Sequence, residues 1–199
     1  MFNNKICIWL VACILMGCAS AYRPVMPNRI SYKESFEDNG LKLQYRYNIL
    51  KEAGNKKYAA KESRSGIRLV AVEFTNNSEQ TVTFGQNVGV FSGNRELVPL
   101  KPEEVRREIR QVAGLYMIWS AFWIVINNCD NDDCTSIPLP VGALIGLGNM
   151  SAAKAANRNM LHDLRRYDLS GKTIGPGETV YGILPLAVIE GDVLEVHLK

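Results

Sequence analysis

The side chains with the widest chemical scope are five cysteines, Cys7, Cys13, Cys18, Cys129 and Cys134, and two histidines, His162 and His197. A thiol can be a nucleophile, an acylation site, a metal ligand or a disulfide partner, according to its neighbours and compartment. Cys129 and Cys134 enclose Asp130, Asn131, Asp132 and Asp133. Thiols beside carboxylates can coordinate metal, but no histidine lies nearby and a four-ligand zinc set is missing. The run also fails as an EF-hand loop, because Cys134 takes the fifth position and Thr135 stands where glycine is needed. No metal or other cofactor is expected. His162 precedes Asp163, which suggests a base with its carboxylate, yet adjacent helical residues point about 100 degrees apart. It reads as a surface helix residue. His197 alternates with Val196 and Leu198, an ordinary partly exposed strand position. There is no Gly-x-Ser-x-Gly elbow, no phosphate-cradling glycine loop, and no histidine and carboxylate cluster at metal spacing. Glu103 with Glu104, and Glu37 with Asp38, are sequence neighbours with solvated roles. The expectation is a protein that is not an enzyme. The alternative is a hydrolase or carbohydrate-active module whose site assembles from scattered residues.

Cys18 stands apart because of what precedes it. Lys5 leads into an uncharged apolar run over 6–16, about half the ~20 residues that a bilayer-spanning helix needs. Leu15, Met16 and Gly17 come directly before the cysteine. This arrangement resembles the lipobox of bacterial lipoproteins, with Met16 where that family more often places Ala, Ser, Thr or Val. The resemblance implies a signal peptide over 1–17, cleavage before Cys18, and diacylation of Cys18 that holds the chain to membrane lipid. The competing readings are an ordinary signal peptide cut near 19–21 and an uncleaved anchor, which the shortness of the run disfavours. In a Gram-negative host the resemblance further implies the outer membrane, because Ala19 is not the Asp that retains lipoproteins inside. The absence of an acidic cluster after Cys18 favours the periplasmic face. On this reading Cys7 and Cys13 leave with the signal and Cys18 carries lipid, so Cys129 and Cys134 are the pair that remains. In an oxidising compartment they are expected to form a disulfide.

Of the 23 basic residues only Lys5 falls in 1–17, which leaves 22 against 20 acidic ones. That near balance argues against a nucleic-acid partner. The 47% of hydrophobic residues is ample for a packed core, in one domain with an insertion or in two small ones.

The elements that must position these residues follow from periodicity. Residues 18–40 carry Pro24, Pro27, Asn28, Asn39 and Gly40 without a sustained period, and read as a flexible tether. Leu41, Leu43, Tyr45, Tyr47 and Ile49 alternate with polar residues as a half-buried strand does. A second strand is expected over 58–61, a hairpin over 67–75 and 81–84, and another over 88–91 and 96–100 across Ser92, Gly93 and Asn94. Pro102 followed by Glu103 and Glu104 opens a helix. Its second half, 112–126, has no charge. A second apolar leg over 137–150 and a helix over 151–167 follow, and strands resume over 171–174, 179–184 and 193–198. The expected fold class is α+β, an antiparallel β-sandwich over 41–199 with an inserted α-helical hairpin at about 102–168. The strand-rich parts resemble the immunoglobulin-like domains of cell-envelope lipoproteins.

An all-round apolar helix over 112–126 must be hidden. It can share a core with the legs that follow it, or meet a partner protein. It can also lie in the interface of the membrane that holds Cys18, with Tyr116, Trp119 and Trp123 at headgroup depth and Arg106, Arg107 and Arg110 near phosphates. Fifteen residues rise about 22 Å, short of the ~30 Å hydrocarbon core. The aspartates at the tip also oppose full insertion. Gly142 and Gly146 would let the second leg pack closely on the first.

Overall fold

The computed structural model describes residues 18–130 and 133–199. The expected signal segment over 1–17, including Leu15, Met16 and Gly17, lies outside the described residues, as do Asn131 and Asp132. The chain divides into two compact units. The larger holds Tyr22–Arg110 and Arg158–Lys199, and the smaller holds Gln111–Asn157 with residues 18–21.

In the larger unit, strands β1 (Glu34–Asp38) and β2 (Leu41–Arg46) form a hairpin in which Asp38 stands opposite Leu41. The two residues between them, Asn39 and Gly40, have φ of 49° and 77°. Asn-Gly tolerates two successive positive φ values, which give the turn a twist that matches the strands. Leu41, Leu43 and Tyr45 are buried and alternate with half-buried polar residues, as expected of β2. Strand β3 (Arg68–Asn76) lies between β2 and a later strand, Thr179–Leu186, in a four-stranded antiparallel sheet. A second sheet is formed by β5 (Val88–Ser92), β6 (Arg95–Leu97) and the terminal strand Glu195–Leu198. Leu43, Val72 and Phe74 from the first sheet and Val88, Val90 and Val196 from the second belong to one buried cluster.

Several expectations over this unit are corrected. Residues 18–40 are not a free tether. Tyr22 and Val25 are buried, and the Tyr22 ring meets Tyr58 edge-on at 5.6 Å. The Arg23 N–H donates to Asn55 Oδ1 at 2.8 Å, and Val25 N–H donates to Asp163 Oδ2 at 3.1 Å. This strap is held by single anchors rather than by a periodic face, so it leaves no repeating pattern in the sequence. The stretch 58–61 lies in a helix, α2 (Lys56–Ser65), which follows the short α1 (Ile49–Glu52). Tyr58 and Glu62, four apart, are its buried residues, a helical spacing too brief to separate from a strand in a four-residue window. Strand β4 (Val82–Thr83) pairs with β9 (Thr173–Ile174) instead of folding back on β3. The helix opened by Pro102 is α3 (Pro102–Ile109), in which Glu104 Oε2 reaches back to the Lys101 N–H at 3.1 Å and so satisfies a free N-terminal donor.

The smaller unit replaces the expected α-helical hairpin. A 3₁₀ helix (Ala113–Ala121) leads into β7 (Ile124–Asp130) and β8 (Asp133–Leu139), and α4 (Val141–Arg166) follows. Residues of α4 through Asn157 belong to this unit. Phe122, Trp123, Ile124, Val125 and Ile126 are aromatic or β-branched, types that lose rotamer freedom in a helix and fit a pleated ribbon. The glycines at the start of α4 do pack on the first leg. A Cβ on Gly142 would collide with the Trp119 carbonyl oxygen, and one on Gly146 would come within 3.0 Å of the Tyr116 carbonyl oxygen.

Candidate functional site: an uncharged apolar surface in the smaller unit

Gln111 organises the smaller unit and is 3% exposed. Its side-chain Nε2 donates to the Ser20 carbonyl at 2.7 Å, and Oε1 accepts from Ser20 N–H at 3.1 Å and from Tyr116 OH at 3.2 Å. Its backbone is held by the Asn157 amide, which accepts from Gln111 N–H and donates to its carbonyl, both at 2.8 Å. Ala19 N–H donates to Asn149 Oδ1 at 2.7 Å. The two residues that follow Cys18 are therefore fastened by the amide side chains of Asn149 and Gln111, and Asn157 in turn holds the Gln111 backbone. Sequence reading missed Gln111, Asn149 and Asn157, since isolated amides at long separation carry no linear signal.

Around this hub the surface is apolar. In a 3₁₀ helix residues three apart stand in one row; Leu115 is 69% exposed and Ile118 76%. In the β-hairpin, Ile124 pairs with Leu139 and Ile126 with Ile137. These four share one face, since side chains alternate along a strand. All four are exposed, and Val125, on the opposite face, is 55% exposed. Both faces of the ribbon's base are thus apolar and outside any core. The charged residues of 111–157 are Asp130, Asp132, Asp133 and Lys154; among the described residues those on the two strands, Asp130 and Asp133, form the last pair of the hairpin. Soluble surfaces instead intersperse charge throughout.

The expected contact residues separate. Tyr116 and Trp119 are half-buried and Trp123 is exposed, all in the smaller unit, and Trp119 lies 6.4 Å from the Phe122 ring. Arg106, Arg107 and Arg110 belong to the larger unit. Arg107 pairs with Glu108 at 3.6 Å, and the Arg110 carbonyl accepts from Lys61 Nζ at 2.5 Å. Cys129 stands directly opposite Cys134 in the hairpin register.

The larger unit holds two further polar groupings. His197, expected as an ordinary sheet residue, is clasped between carboxylates, with Nδ1 3.0 Å from Asp38 and Nε2 3.2 Å from Glu195. Burial opposes charge on the ring, but these two hydrogen bonds outweigh it and raise His197 above its ordinary value. His162 and Asp163, expected to point apart, approach to 3.7 Å; the histidine is exposed and the carboxylate largely buried. Glu62 and Glu190 line a cleft of about 580 Å³ together with Lys51, Lys56 and Arg68. Burial pushes Glu62 up to about 7, although Leu69 N–H donates to its Oε1 at 2.7 Å.

Among the described residues no group of three His, Cys, Asp or Glu could hold a metal ion, and no helix is long and apolar enough to cross a membrane. Compared with protein-family models, curated proteins and solved structures, the chain matches none.

Proposed function

We propose that this is a lipid-anchored lipoprotein of the cell envelope with a non-catalytic binding or structural role. The observation that carries the reading is Leu15, Met16, Gly17 and Cys18 at the end of a short apolar run. Its partner is membrane lipid through acylated Cys18, on the periplasmic face of an outer membrane. The larger unit is read as an immunoglobulin-like sandwich, supported by the buried cluster that draws on both sheets. Metabolic labelling with a fatty-acid analogue tests the anchor. The wild type should take up label and Cys18→Ala should not; a wild type that stays unlabelled refutes the anchor.

A disulfide between Cys129 and Cys134 is part of the same proposal. Residues directly opposite in an antiparallel ladder have Cα atoms about 4.5–5.5 Å apart, within the roughly 4.4–6.8 Å that a disulfide bridges. Thiol alkylation should label neither residue until reductant is added, and labelling of Cys134 without reductant removes the bridge.

A second reading, an envelope hydrolase or carbohydrate-active module, draws on Glu62 and Glu190 converging on one cleft. Turnover of a glycoside or ester that disappears in Glu190→Gln would establish it.

A further inference from the structure

We infer that the exposed apolar surface of the smaller unit rests in the interface of the phospholipid bilayer, as a second membrane contact beside the lipid anchor; this rests on the lipoprotein reading of Cys18. Leu115 and Ile118 project from the 3₁₀ helix, Trp123 follows it, and Ile124, Val125 and Ile126 continue the surface onto both faces of the hairpin. From 111 to 129 the chain has no charged residue. A surface of this kind facing water would be an association or aggregation liability.

The occupant is argued from the position of the anchor. Ala19 and Ser20 are hydrogen-bonded to Asn149 and Gln111, within the same compact unit as the apolar residues. Acylated Cys18 therefore sits one residue from a fixed point, and a residue spans at most about 3.6 Å. No slack lets this unit leave the lipid surface, so the apolar side chains are held at high effective concentration against the bilayer.

The chemistry also limits the depth. Strands β7 and β8 form a sheet of two strands among the described residues, so their outer edges present backbone groups with no neighbouring strand. Hydrocarbon cannot satisfy such groups, whereas the hydrated headgroup region can. Asn127, Asn128, Thr135 and Ser136 make the outer half of the hairpin polar. Hence only its apolar base and the 3₁₀ row enter the headgroup and acyl boundary, the depth that Trp and Tyr favour.

The test uses the chain from residue 18 with Cys18→Ser, which removes the lipid. Trp119 and Trp123 are then its only tryptophans, so intrinsic fluorescence reports on this surface alone. With vesicles of phosphatidylethanolamine and phosphatidylglycerol, the chain should float with lipid and its emission should shift to the blue. Leu115→Glu with Ile118→Glu should weaken partitioning by on the order of tenfold or more while circular dichroism and thermal unfolding stay unchanged. A Cys18→Ser chain that stays out of the vesicle fraction with unshifted emission overturns the inference. So does a lipid-free dimer, dissociated by the same glutamates, that ignores vesicles; that result assigns the surface to a second copy. If the wild type takes up no fatty acid while Cys18→Ser still floats, the anchor fails and the membrane surface stands.

Discussion

Glu62 gives the sharpest test of the packing in the larger unit. It lies on α2, is 4% exposed, and its carboxylate accepts the Leu69 N–H at 2.7 Å at the start of β3. The nearby Arg68 guanidinium donates to the Glu62 backbone carbonyl at 3.0 Å. Burial dominates and raises the carboxyl from 4.5 to about 7. For an acid raised by folding, the native state binds the proton more tightly than the unfolded chain. Stability then falls as pH rises from the unfolded value through the folded one. The shift spans roughly two to three pH units, and at about 1.4 kcal/mol per unit the buried charge costs about 3 kcal/mol above neutrality. Glu62→Gln keeps an acceptor for Leu69 N–H and cannot ionise. Its stability should match the wild type near pH 4 and exceed it by about 3 kcal/mol near pH 8, with the change falling between about pH 4.5 and 7. Urea unfolding followed by circular dichroism at closely spaced pH values measures the difference. A difference that stays constant across that window would refute the argument, because it would mean the carboxyl ionises equally in both states.

His197 titrates in the opposite sense. Its raised value means the clasp with Asp38 and Glu195 contributes fully below the unfolded histidine range and is lost as pH rises through the folded value. With the ring and both carboxylates partly exposed, His197→Asn should cost about 0.5–1 kcal/mol at pH 5 and less at pH 9 in unfolding experiments. Gly182→Ala on the strand Thr179–Leu186 would drive a Cβ into Leu169, within 2.6 Å of its Cδ1. Because Leu169 is 1% exposed and has little room to move, a loss of about 1–3 kcal/mol is expected; Leu169→Ala in the same chain should recover none of the total stability but should remove the added penalty in a double-mutant cycle. Gln111→Ala would leave the Ser20 backbone groups without their side-chain partner. It should cost about 1–3 kcal/mol and change the fluorescence of the smaller unit's tryptophans.

Where side chains repeat with a period, the sequence was legible. The alternation from Leu41 to Tyr45 names the buried face of β2, and the expected hairpin after Val88 forms as Val88–Ser92 with Arg95–Leu97, its turn tightened to Gly93 and Asn94 because Ser92 pairs with Arg95. Asn39 and Gly40 carry a two-residue hairpin signal that composition alone does not separate from a linker; the pairing of Asp38 with Leu41 makes it a turn. In 112–126 the absence of charge was visible while the type of element was not, because apolar runs lack the polar positions that reveal a period. There the aromatic and β-branched content of 122–126 was the better guide.

By itself the sequence determined the chemistry on offer: a cysteine at the end of a short apolar run, two others close in the chain, a near-neutral charge balance and an uncharged apolar stretch. Only the tertiary structure decided that β3 sits between strands brought from distant parts of the chain, that His197 meets Asp38 159 residues away, and that Gln111 ties Ser20 into the smaller unit across 91 residues. The physical reason is that period and composition act over a few residues, whereas these contacts are single directional bonds whose partners are selected by the packing of the whole chain.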